Sequence, residues 1–341
     1  MTSQLQVNLH GPGDVRLDAA PVPRAGAGDV VVRVAACGIC GSDVGYLKAG
    51  GVAGPTSRPI PLGHELSGVI EQVGEAVRGF AVGDRVVVDP VASNNLLGNG
   101  GSEGAFTPRL LVRGVASGGG LIRVPDALGL GVAALAEPLG VGMRAVDRSR
   151  ARAGEKAVVF GSGPIGLASL VCLLDRGVED TIVVDLSDTR LALATRLGAR
   201  AVLNPLRDDV FAALRDLHGV APVLGAPMLA SNLFIEASGA PSVIGDVIGQ
   251  ACKEARLVVV GLHKKPVPFN LILVMMKELE ILGSIAQPAD WNAMLDLLAR
   301  RDVSAMVTHR FPLERFAEGM AVACDPDAGG KVMIEIAPDL L

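Results

Sequence analysis

The sequence is poor in the residues that mark several classes of protein. Its 341 residues include five cysteines, one tryptophan and one tyrosine, and aromatic residues make up 3% of the chain. An odd number of cysteines without framework spacing argues against a disulfide-stabilised secreted domain and for a reducing compartment. The chain has 31 basic and 36 acidic residues, a net charge of −5 and no basic cluster, so nucleic acid is not an expected partner.

Signals for export or for a membrane are also missing. The first residues, Met1-Thr-Ser-Gln-Leu-Gln, have neither the basic start nor the apolar core of a signal peptide. Residues 157–174 contain no charge, which on length alone suggests a membrane span. Three glycines and a proline interrupt that run, however, and a strand followed by a helix explains it better. We therefore expect a cytoplasmic protein without a membrane partner.

The pattern of apolar runs predicts two domains of different type. Residues 1–140 are β-rich, with short apolar strands separated by glycine turns. Residues 141–286 alternate six strand runs with helix patterns, which predicts a doubly wound parallel sheet of the α/β class. The late strand runs at 305–308 and 331–336 do not continue that alternation. We expect residues 287–341 to return to the first domain, and residues 219–232 to form a long loop.

The stretch from Ala157 to Asp185 predicts a dinucleotide site. A strand runs into Gly161-Ser-Gly163-Pro164-Ile165-Gly166, a helix follows, and a second strand ends at Asp185. This is the order that a dinucleotide-binding unit requires: the glycines allow a tight turn and a close approach of backbone to the diphosphate at the helix N-terminus. Asp185 is placed to bind the adenosine ribose hydroxyls and to repel a 2′-phosphate, which predicts NAD over NADP.

Reactive side chains occur at three other turns. They are Cys37-Gly-Ile-Cys40-Gly-Ser42-Asp43, Gly63-His64-Glu65 and Glu137-Pro-Leu139. Cysteine, histidine and carboxylate are the ligands of a catalytic zinc that keeps one position open. By spacing alone, the cysteine pair fits a redox or buried pair equally well, and the His-Glu pair is compatible with a solvated turn. His10, His218 and His263 lack partners at ligand spacing and are predicted to be surface or loop residues, whereas Met275 and Met276 are predicted to pack in the core or to line a subunit contact.

Together these motifs resemble the zinc-dependent medium-chain dehydrogenases, and most closely their sorbitol, threonine and butanediol dehydrogenase branch. The resemblance covers nearly the whole chain, and its motifs are the three turns just named, the Gly161–Gly166 fingerprint, Val82-Gly83-Asp84-Arg85-Val86, Gly104-Ala-Phe106, Asp185-Leu-Ser187 with Arg190, and Thr308-His-Arg310-Phe-Pro-Leu313. It implies a GroES-like catalytic domain (1–140 and 287–341) and a Rossmann domain (141–286). It also implies a homo-oligomer, either a dimer or a tetramer.

The resemblance also implies roles for individual residues. Cys40 and His64 correspond to zinc ligands, and Glu65 and Glu137 to carboxylates that serve interchangeably, directly or through water. Ser42 corresponds to the hydroxyl that binds the substrate oxygen, and Asp43 to the partner that orients the histidine. Arg190 corresponds to a contact on the adenosine side of NAD, and Cys37 to a neighbour that does not bind metal.

The chain departs from these relatives in two places that bear on chemistry. Residues 89–104 contain no cysteine, so the four-cysteine structural zinc of many relatives is not expected and one zinc per chain is predicted. Gly45 stands where relatives often carry a histidine that ends a proton relay. The predicted function is oxidation of a secondary alcohol or polyol by NAD, or the reverse. The alternatives are a zinc-free quinone or enoyl reductase and a non-catalytic NAD-binding protein.

Overall fold

The chain folds as two units, which a computed structural model describes for residues 3–285 and 287–341. The first unit comprises the residues up to Glu137 together with Asp290–Leu341, and the second comprises Pro138–Ala289. No helix of the described residues has the length and apolarity needed to cross a bilayer.

The strands and helices are numbered in chain order. The strands are β1 Ser3–Gly11, β2 Asp14–Pro21, β3 Val30–Gly38, β4 Ile60–Pro61, β5 Glu65–Val73, β6 Arg85–Val88, β7 Arg109–Val112, β8 Leu121–Arg123, β9 Lys156–Phe160, β10 Asp180–Val184, β11 Ala201–Leu203, β12 Val220–Val223, β13 Ala226–Leu229, β14 Leu233–Glu236, β15 Arg256–Val259, β16 Glu280–Gly283, β17 Val307–Pro312 and β18 Lys331–Glu335. The α-helices are α1 Gly41–Ala49, α2 Leu130–Ala133, α3 Ala136–Ser149, α4 Pro164–Asp175, α5 Asp188–Arg196, α6 Val210–His218, α7 Pro241–Gln250, α8 Leu271–Met276, α9 Trp291–Arg300 and α10 Phe316–Cys324. Short 3₁₀ helices occupy Ala92–Asn94, Val115–Ser117, Ser304–Met306, Leu313–Arg315 and Pro338–Leu340.

The first unit is built on β-sheets. One sheet has the order β2-β1-β4, and the other has the order β17-β18-β3-β5-β6-β8, with β7 also paired to β3. Strand β3 is almost wholly buried, which its run Val-Val-Val-Arg-Val-Ala-Ala requires of a central strand. The rings of Phe106 and Phe316 lie 4.7 Å apart in the core of this unit. The antiparallel pairing of β3 with β5 sets Gly38 opposite Glu65, and the pairing of β18 with β3 brings the late strand to the same place.

The second unit contains the predicted six-stranded parallel sheet, which is confirmed. Its order is β11-β10-β9-β14-β15-β16, and every neighbouring pair is parallel. Strands β9 and β14 are buried along nearly their whole length, as expected for a sheet covered on both faces. The strand order reverses between β9 and β14, and a ligand crevice forms at such a reversal, outside the carboxyl ends of the strands.

The prediction of a long loop at 219–232 is wrong, because these residues contain the antiparallel hairpin β12–β13. Leu224 and Gly225 at its tip both have positive φ, of 50° and 82°, which suits a two-residue hairpin turn. Pro222 and Pro227 obscure the strand pattern in the sequence. They are tolerated because this two-stranded ribbon has free edges, where a missing N–H donor costs little.

The prediction that His218 is a surface or loop residue is also wrong. His218 ends α6 and is 1% exposed. Its Nδ1 lies 2.6 Å from the Ser231 hydroxyl and its Nε2 lies 2.9 Å from Asp180 Oδ1. The ring therefore links the residues just after the hairpin to the start of β10. Burial lowers the pKa of His218, against the opposing charge of Asp180.

Candidate functional site

Three side chains with metal-ligating atoms meet in the first unit. Cys40 follows β3 and precedes α1, and His64 and Glu65 lie at the start of β5. One donor atom from each lies within 4.8 Å of the other two, and His64 and Glu65 are buried. Within residues 3–285 and 287–341, this is the one group of three or more such side chains that could hold a metal ion.

A glycine sets the direction of the chain into this group. Gly63 has φ of 95°, and a Cβ there would lie 2.8 Å from the backbone nitrogen of Phe106. A side chain at this position would therefore meet both an unfavourable backbone conformation and a steric clash. The glycine of the Gly63-His64-Glu65 motif is thus a physical requirement of the turn that brings His64 and Glu65 to Cys40.

His64 lies between Ser42 and Asp43. Its Nε2 is 3.5 Å from the Ser42 hydroxyl, and its Nδ1 is 3.9 Å from Asp43 Oδ1. Asp43 is completely buried, and its other oxygen accepts a hydrogen bond of 2.9 Å from the backbone N–H of Cys40. Asp43 thus binds the backbone of Cys40, one candidate ligand, and lies beside the ring of His64, another candidate ligand.

The protonation of these groups is shifted by burial and by their close negative charges. Burial acts to lower the pKa of His64, but the charge of Cys40, a hydrogen bond with it and the nearby carboxylates outweigh burial and hold the pKa well above its usual value. Burial raises the pKa of Asp43, with His64 opposing. Such a concentration of negative charge around a buried imidazole is what a bound cation would neutralise.

Lys331 is a member of this site that sequence reasoning missed. It opens β18 and is 1% exposed, and its Nζ lies 2.7 Å from both oxygens of Glu65, donating a hydrogen bond to Oε1. It also donates to the backbone carbonyl of Ile39 at 3.0 Å. Burial lowers the pKa of Lys331, yet the charge of Glu65 and other negative groups outweigh burial and raise it. A lysine at the head of the apolar run Lys-Val-Met-Ile was the available signal.

Two other residues of the three motifs, Cys37 and Glu137, lie outside this group of three. Cys37 is buried in β3, its Sγ contacts the carbonyl of Gly38 at 3.7 Å, and burial raises its pKa well above the usual value. Glu137 lies outside the group of three but is buried, and its charge acts on both His64 and Lys331. Tyr46, which the sequence did not single out, donates a hydrogen bond of 2.9 Å to Asn99 Oδ1.

The fingerprint of the second unit has the geometry of a nucleotide turn. Gly161 has φ of 96°, and a Cβ on Gly166 would lie 1.8 Å from the carbonyl oxygen of Gly161, so the third glycine lets α4 approach β9. At Gly163, the residue before α4, the nearest atom to an added Cβ would be Arg190 Nη1 at 3.9 Å, which leaves space beside the helix N-terminus. Asp185 accepts hydrogen bonds from the backbone of Ser162 at 2.6 Å and of Ser187 at 2.8 Å.

The donor set of the first unit fits zinc. A thiol, an imidazole and a carboxylate are ligands that zinc takes at catalytic sites. Among the side chains that the structure describes, His64 Nδ1 and Asp43 Oδ1 are buried without a hydrogen-bond partner, and Glu65 Oε2 makes an ion pair of 2.7 Å with Lys331 but no hydrogen bond. Unpaired buried polar atoms are unfavourable, and a cation in contact with the carboxylate would relieve part of that cost.

A doubly wound sheet with a nucleotide fingerprint, in a chain that also brings a cysteine, a histidine and a glutamate together, is typical of the metal-dependent dehydrogenases. Comparison with known protein families agrees: residues 26–126 match the alcohol dehydrogenase GroES-like domain, and residues 164–300 match the zinc-binding dehydrogenase domain. The chain belongs to the zinc-binding medium-chain alcohol dehydrogenase family, and it is an oxidoreductase.

Individual relatives cover almost the full chain. It is 32% identical to sorbitol dehydrogenase of Homo sapiens, over 98% of this chain and 97% of that protein. It is also 32% identical to (R,R)-butanediol dehydrogenase of Bacillus subtilis, over 91% of this chain and 92% of that protein. The X-ray structure of 2R,3R-butanediol dehydrogenase from Bacillus subtilis superposes with a TM-score of 0.86 at 28% identity, covering 97% of this chain and 99% of that one.

Proposed function

We propose that this chain transfers hydride between a secondary alcohol or polyol and NAD, with one zinc ion held by Cys40, His64 and a carboxylate. The observation that carries the proposal is the buried Cys40-His64-Glu65 group, whose donor atoms lie within 4.8 Å of one another. Relatives named for sorbitol and butanediol support a substrate with a secondary hydroxyl. The first unit would act as the catalytic domain and the second as the dinucleotide-binding domain.

The side chains around the group have separable tasks in this reaction. The zinc, when bound, polarises the alcohol oxygen and favours loss of its proton. Ser42, 3.5 Å from His64 Nε2, is placed to hydrogen-bond that oxygen and to relay the proton, receiving it while its own hydroxyl proton passes on through the ribose hydroxyls of NAD and water. Asp43 orients His64 from the Nδ1 side, because a carboxylate behind a ligating imidazole fixes its ring and tautomer.

Two carboxylates are available as the third ligand. Glu65 belongs to the group of three, and its carboxylate is already paired with Lys331, whose Nζ lies 2.7 Å from both oxygens. Glu137 is buried and its charge acts on His64. Glu65 therefore has the shorter path to a metal at Cys40 and His64, and Glu137 can replace it directly or through water.

Two further stretches of the sequence support the proposed coenzyme and the proposed number of zinc ions. Asp185 presents its carboxylate at the end of β10, and residues 186 and 187 are not arginine, which favours NAD over NADP. Arg190 lies near Gly163 and is assigned to the adenosine side of NAD. Residues 89–104 contain no cysteine, so no structural zinc is proposed.

A homo-oligomer is supported by an apolar surface on the second unit. We name this surface the α8 face: Leu271, Ile272 and Met275 of the same helix, which are between 61% and 69% exposed. The expectation that Met275 packs in the core of its own chain is thus wrong. A second copy offering the same face would bury it, and light scattering after gel filtration should give a dimer or tetramer that Met275→Asp weakens.

We also propose a cytoplasmic location, which the five free cysteines support.

The test of the proposed function is a substrate panel with the purified protein. Secondary alcohols and polyols are offered with NAD or NADP, reduction is followed at about 340 nm, where the reduced nicotinamide absorbs, and zinc is measured in the same sample. Turnover with NAD that disappears on chelation supports the proposal. Full activity on quinones or enones without zinc would favour the zinc-free reductase, and NAD binding without any turnover would favour the non-catalytic alternative.

A further inference from the structure

The cysteine-free stretch 89–104 lies against the turn that carries His64. Gly98, within this stretch, has φ of 61°, and a Cβ there would lie 2.4 Å from the carbonyl oxygen of Gly63. Just after the stretch, the backbone N–H of Ala105 donates to the same carbonyl at 2.9 Å. Backbone thus packs directly on backbone, which only a glycine permits, and the residues beside Gly98 are fixed relative to His64.

Asn99 follows Gly98, and its side-chain amide is oriented by its own stretch. The backbone N–H of Asn99 donates to Leu96 O at 2.9 Å, and its side-chain Nδ2 donates to Leu97 O at 3.0 Å. Leu97 is completely buried, which anchors that carbonyl. Because Nδ2 is directed to Leu97, the amide presents Oδ1 on its other side, and an amide oxygen can only accept a hydrogen bond.

Tyr46 of α1 supplies the proton for this acceptor. Its hydroxyl donates to Asn99 Oδ1 at 2.9 Å. A phenol carries one proton and can also accept. While Tyr46 donates to Asn99, its oxygen can therefore act toward any other neighbour as an acceptor alone.

Ser42 is such a neighbour. It lies one helical turn before Tyr46, on the same face of α1. Burial, followed by the charges of Asp43 and Cys40, raises the pKa of Tyr46. A hydrogen bond with Ser42 acts to lower this pKa, in keeping with two hydroxyls in contact. Since Ser42 also lies 3.5 Å from His64 Nε2, it joins Tyr46 to the candidate metal site.

We propose that Asn99 is a positioning residue which, through Tyr46, keeps Ser42 free to accept the proton of the substrate alcohol. Asn99 takes the phenolic proton, so Tyr46 cannot donate it to Ser42. The lone pairs of Ser42 are then left for the substrate hydroxyl. Without Asn99, the phenolic proton would compete for them. The assignment rests on the proposed function, since it requires an alcohol bound at Ser42.

The first test measures kcat/KM for the best alcohol of the substrate panel. Asn99→Leu removes the acceptor and should lower kcat/KM about five- to tenfold, the value of one net hydrogen bond. Adding Tyr46→Phe to this variant should recover most of the loss, because the competing proton is gone. Asn99→Asp is the matched control. It also loses the bond to Leu97 but still accepts from Tyr46, so it should stay within about twofold of wild type.

A second measurement requires no turnover. Tyr46 is the one tyrosine of the chain, so protein labelled at tyrosine Cζ gives a single signal in carbon NMR. Asn99→Leu and Ser42→Ala should each shift that signal, because each removes a hydrogen-bond partner of the phenol. Ser117→Ala is the control, since this exposed serine donates to Gly114 O instead, and it should leave the signal in place.

The outcomes separate this assignment from the function on which it rests. A wild-type protein that oxidises no alcohol overturns the proposed function. A carbon signal unmoved by Asn99→Leu or by Ser42→Ala overturns the assignment, whether or not the protein is active. In an active protein, a loss that Tyr46→Phe does not recover, or an equal loss in Asn99→Asp, also overturns it. Either result would show that Asn99 acts only through the fold.

Discussion

Glu65 in the first unit and Glu236 in the second are both completely buried, but they are stabilised in different ways. Glu236 accepts three hydrogen bonds from Ser238 and Gly239, close after it in the chain, and a further one from His263. Glu65 depends on Lys331, a cation 266 positions away, and its Oε2 accepts no hydrogen bond from the described residues. Burying a carboxylate costs several kcal/mol, so each arrangement must compensate it.

The two arrangements suit different tasks. Glu236 can hold another side chain in place, whereas Glu65 can bind a metal ion. Glu236 has its acceptor capacity filled, which suits holding an imidazole still. Glu65 accepts one hydrogen bond from Lys331, whose ammonium lies 2.7 Å from both of its oxygens, and one of these oxygens also lies within 4.8 Å of the donor atoms of Cys40 and His64. The number of satisfied acceptors, more than burial or charge, therefore distinguishes the two glutamates.

The largest effect is expected from removing a ligand in the first unit. Cys40→Ala should lose both the zinc and turnover, by about a thousandfold or more, because Lewis-acid stabilisation is worth several kcal/mol. Cys37→Ala should keep the metal, since its thiol is turned to the carbonyl of Gly38. Glu236→Gln should keep it as well. Elemental analysis gives the result, and two tightly held zinc ions per chain, or full activity without any, would contradict the assignment.

A large effect on stability is expected from Lys331→Met. It leaves Glu65 buried without its cation, which should cost about 3–5 kcal/mol of unfolding free energy in chelator-treated protein. Zinc-loaded protein should lose less, because the metal supplies a second cation. The double variant Lys331→Met/Glu65→Gln should recover most of the loss. Urea unfolding with and without chelator measures this, and identical losses in both states would show that Glu65 does not face the metal.

From the sequence, Glu65 could be predicted as a site residue and Glu236 could not. The strands that carry them, β5 and β14, were both predicted. The six parallel strands follow from apolar runs separated by helix patterns, because a sheet covered on both faces requires them. Glu65 could be found because it adjoins Gly63 and His64 in a motif. Its partner Lys331 could not, since only the antiparallel pairing of β3 with β5 and β18 brings residues so far apart in sequence together.

Glu236 and His263 show the same limit in the second unit. Nothing in the spacing of Glu236 and His263 predicts contact, because adjacent parallel strands are joined by a helical crossover of variable length. The hairpin at 220–229 was missed for a different reason, since Pro222 and Pro227 are typical of loops in sequence. Motif chemistry was thus predictable, whereas partners supplied by pairing between distant strands were not.

A moderate effect is expected from a third carboxylate, Asp185, on the adenosine side. Asp185→Ala should raise the efficiency of NADP relative to NAD by about tenfold or more, because it removes a repulsion against the 2′-phosphate worth about 1.4 kcal/mol. Asp188→Ala is the control, since this exposed neighbour pairs with Arg207 instead. The ratio of kcat/KM values for the two coenzymes decides it. Equal use of NADP and NAD by the wild-type protein would show the interpretation of Asp185 to be wrong.

The smallest effect is expected at Gly45, where relatives often place a histidine. Gly45 lies in α1, three residues after Ser42 and so on the same helix face, and a Cβ there would meet no atom within 4 Å. Gly45→His therefore meets no steric conflict at its Cβ, and it adds a group with an ordinary pKa of about 6.5. Above that pH the neutral imidazole can accept a proton passed on from Ser42, so the acidic limb of the kcat profile should shift to lower pH.

The size of that shift measures how the proton leaves in the native protein. We expect a rise in kcat of about two- to threefold at neutral pH with KM little changed, because the added group transfers a proton and does not bind substrate. Gly45→Asn is the matched control, being similar in size but unable to titrate, and it should leave the profile in place. If asparagine shifts the profile as much as histidine does, the effect is steric. If histidine leaves it unmoved, the proton already leaves by another path, and Tyr46, hydrogen-bonded to Asn99, is the side chain to change next.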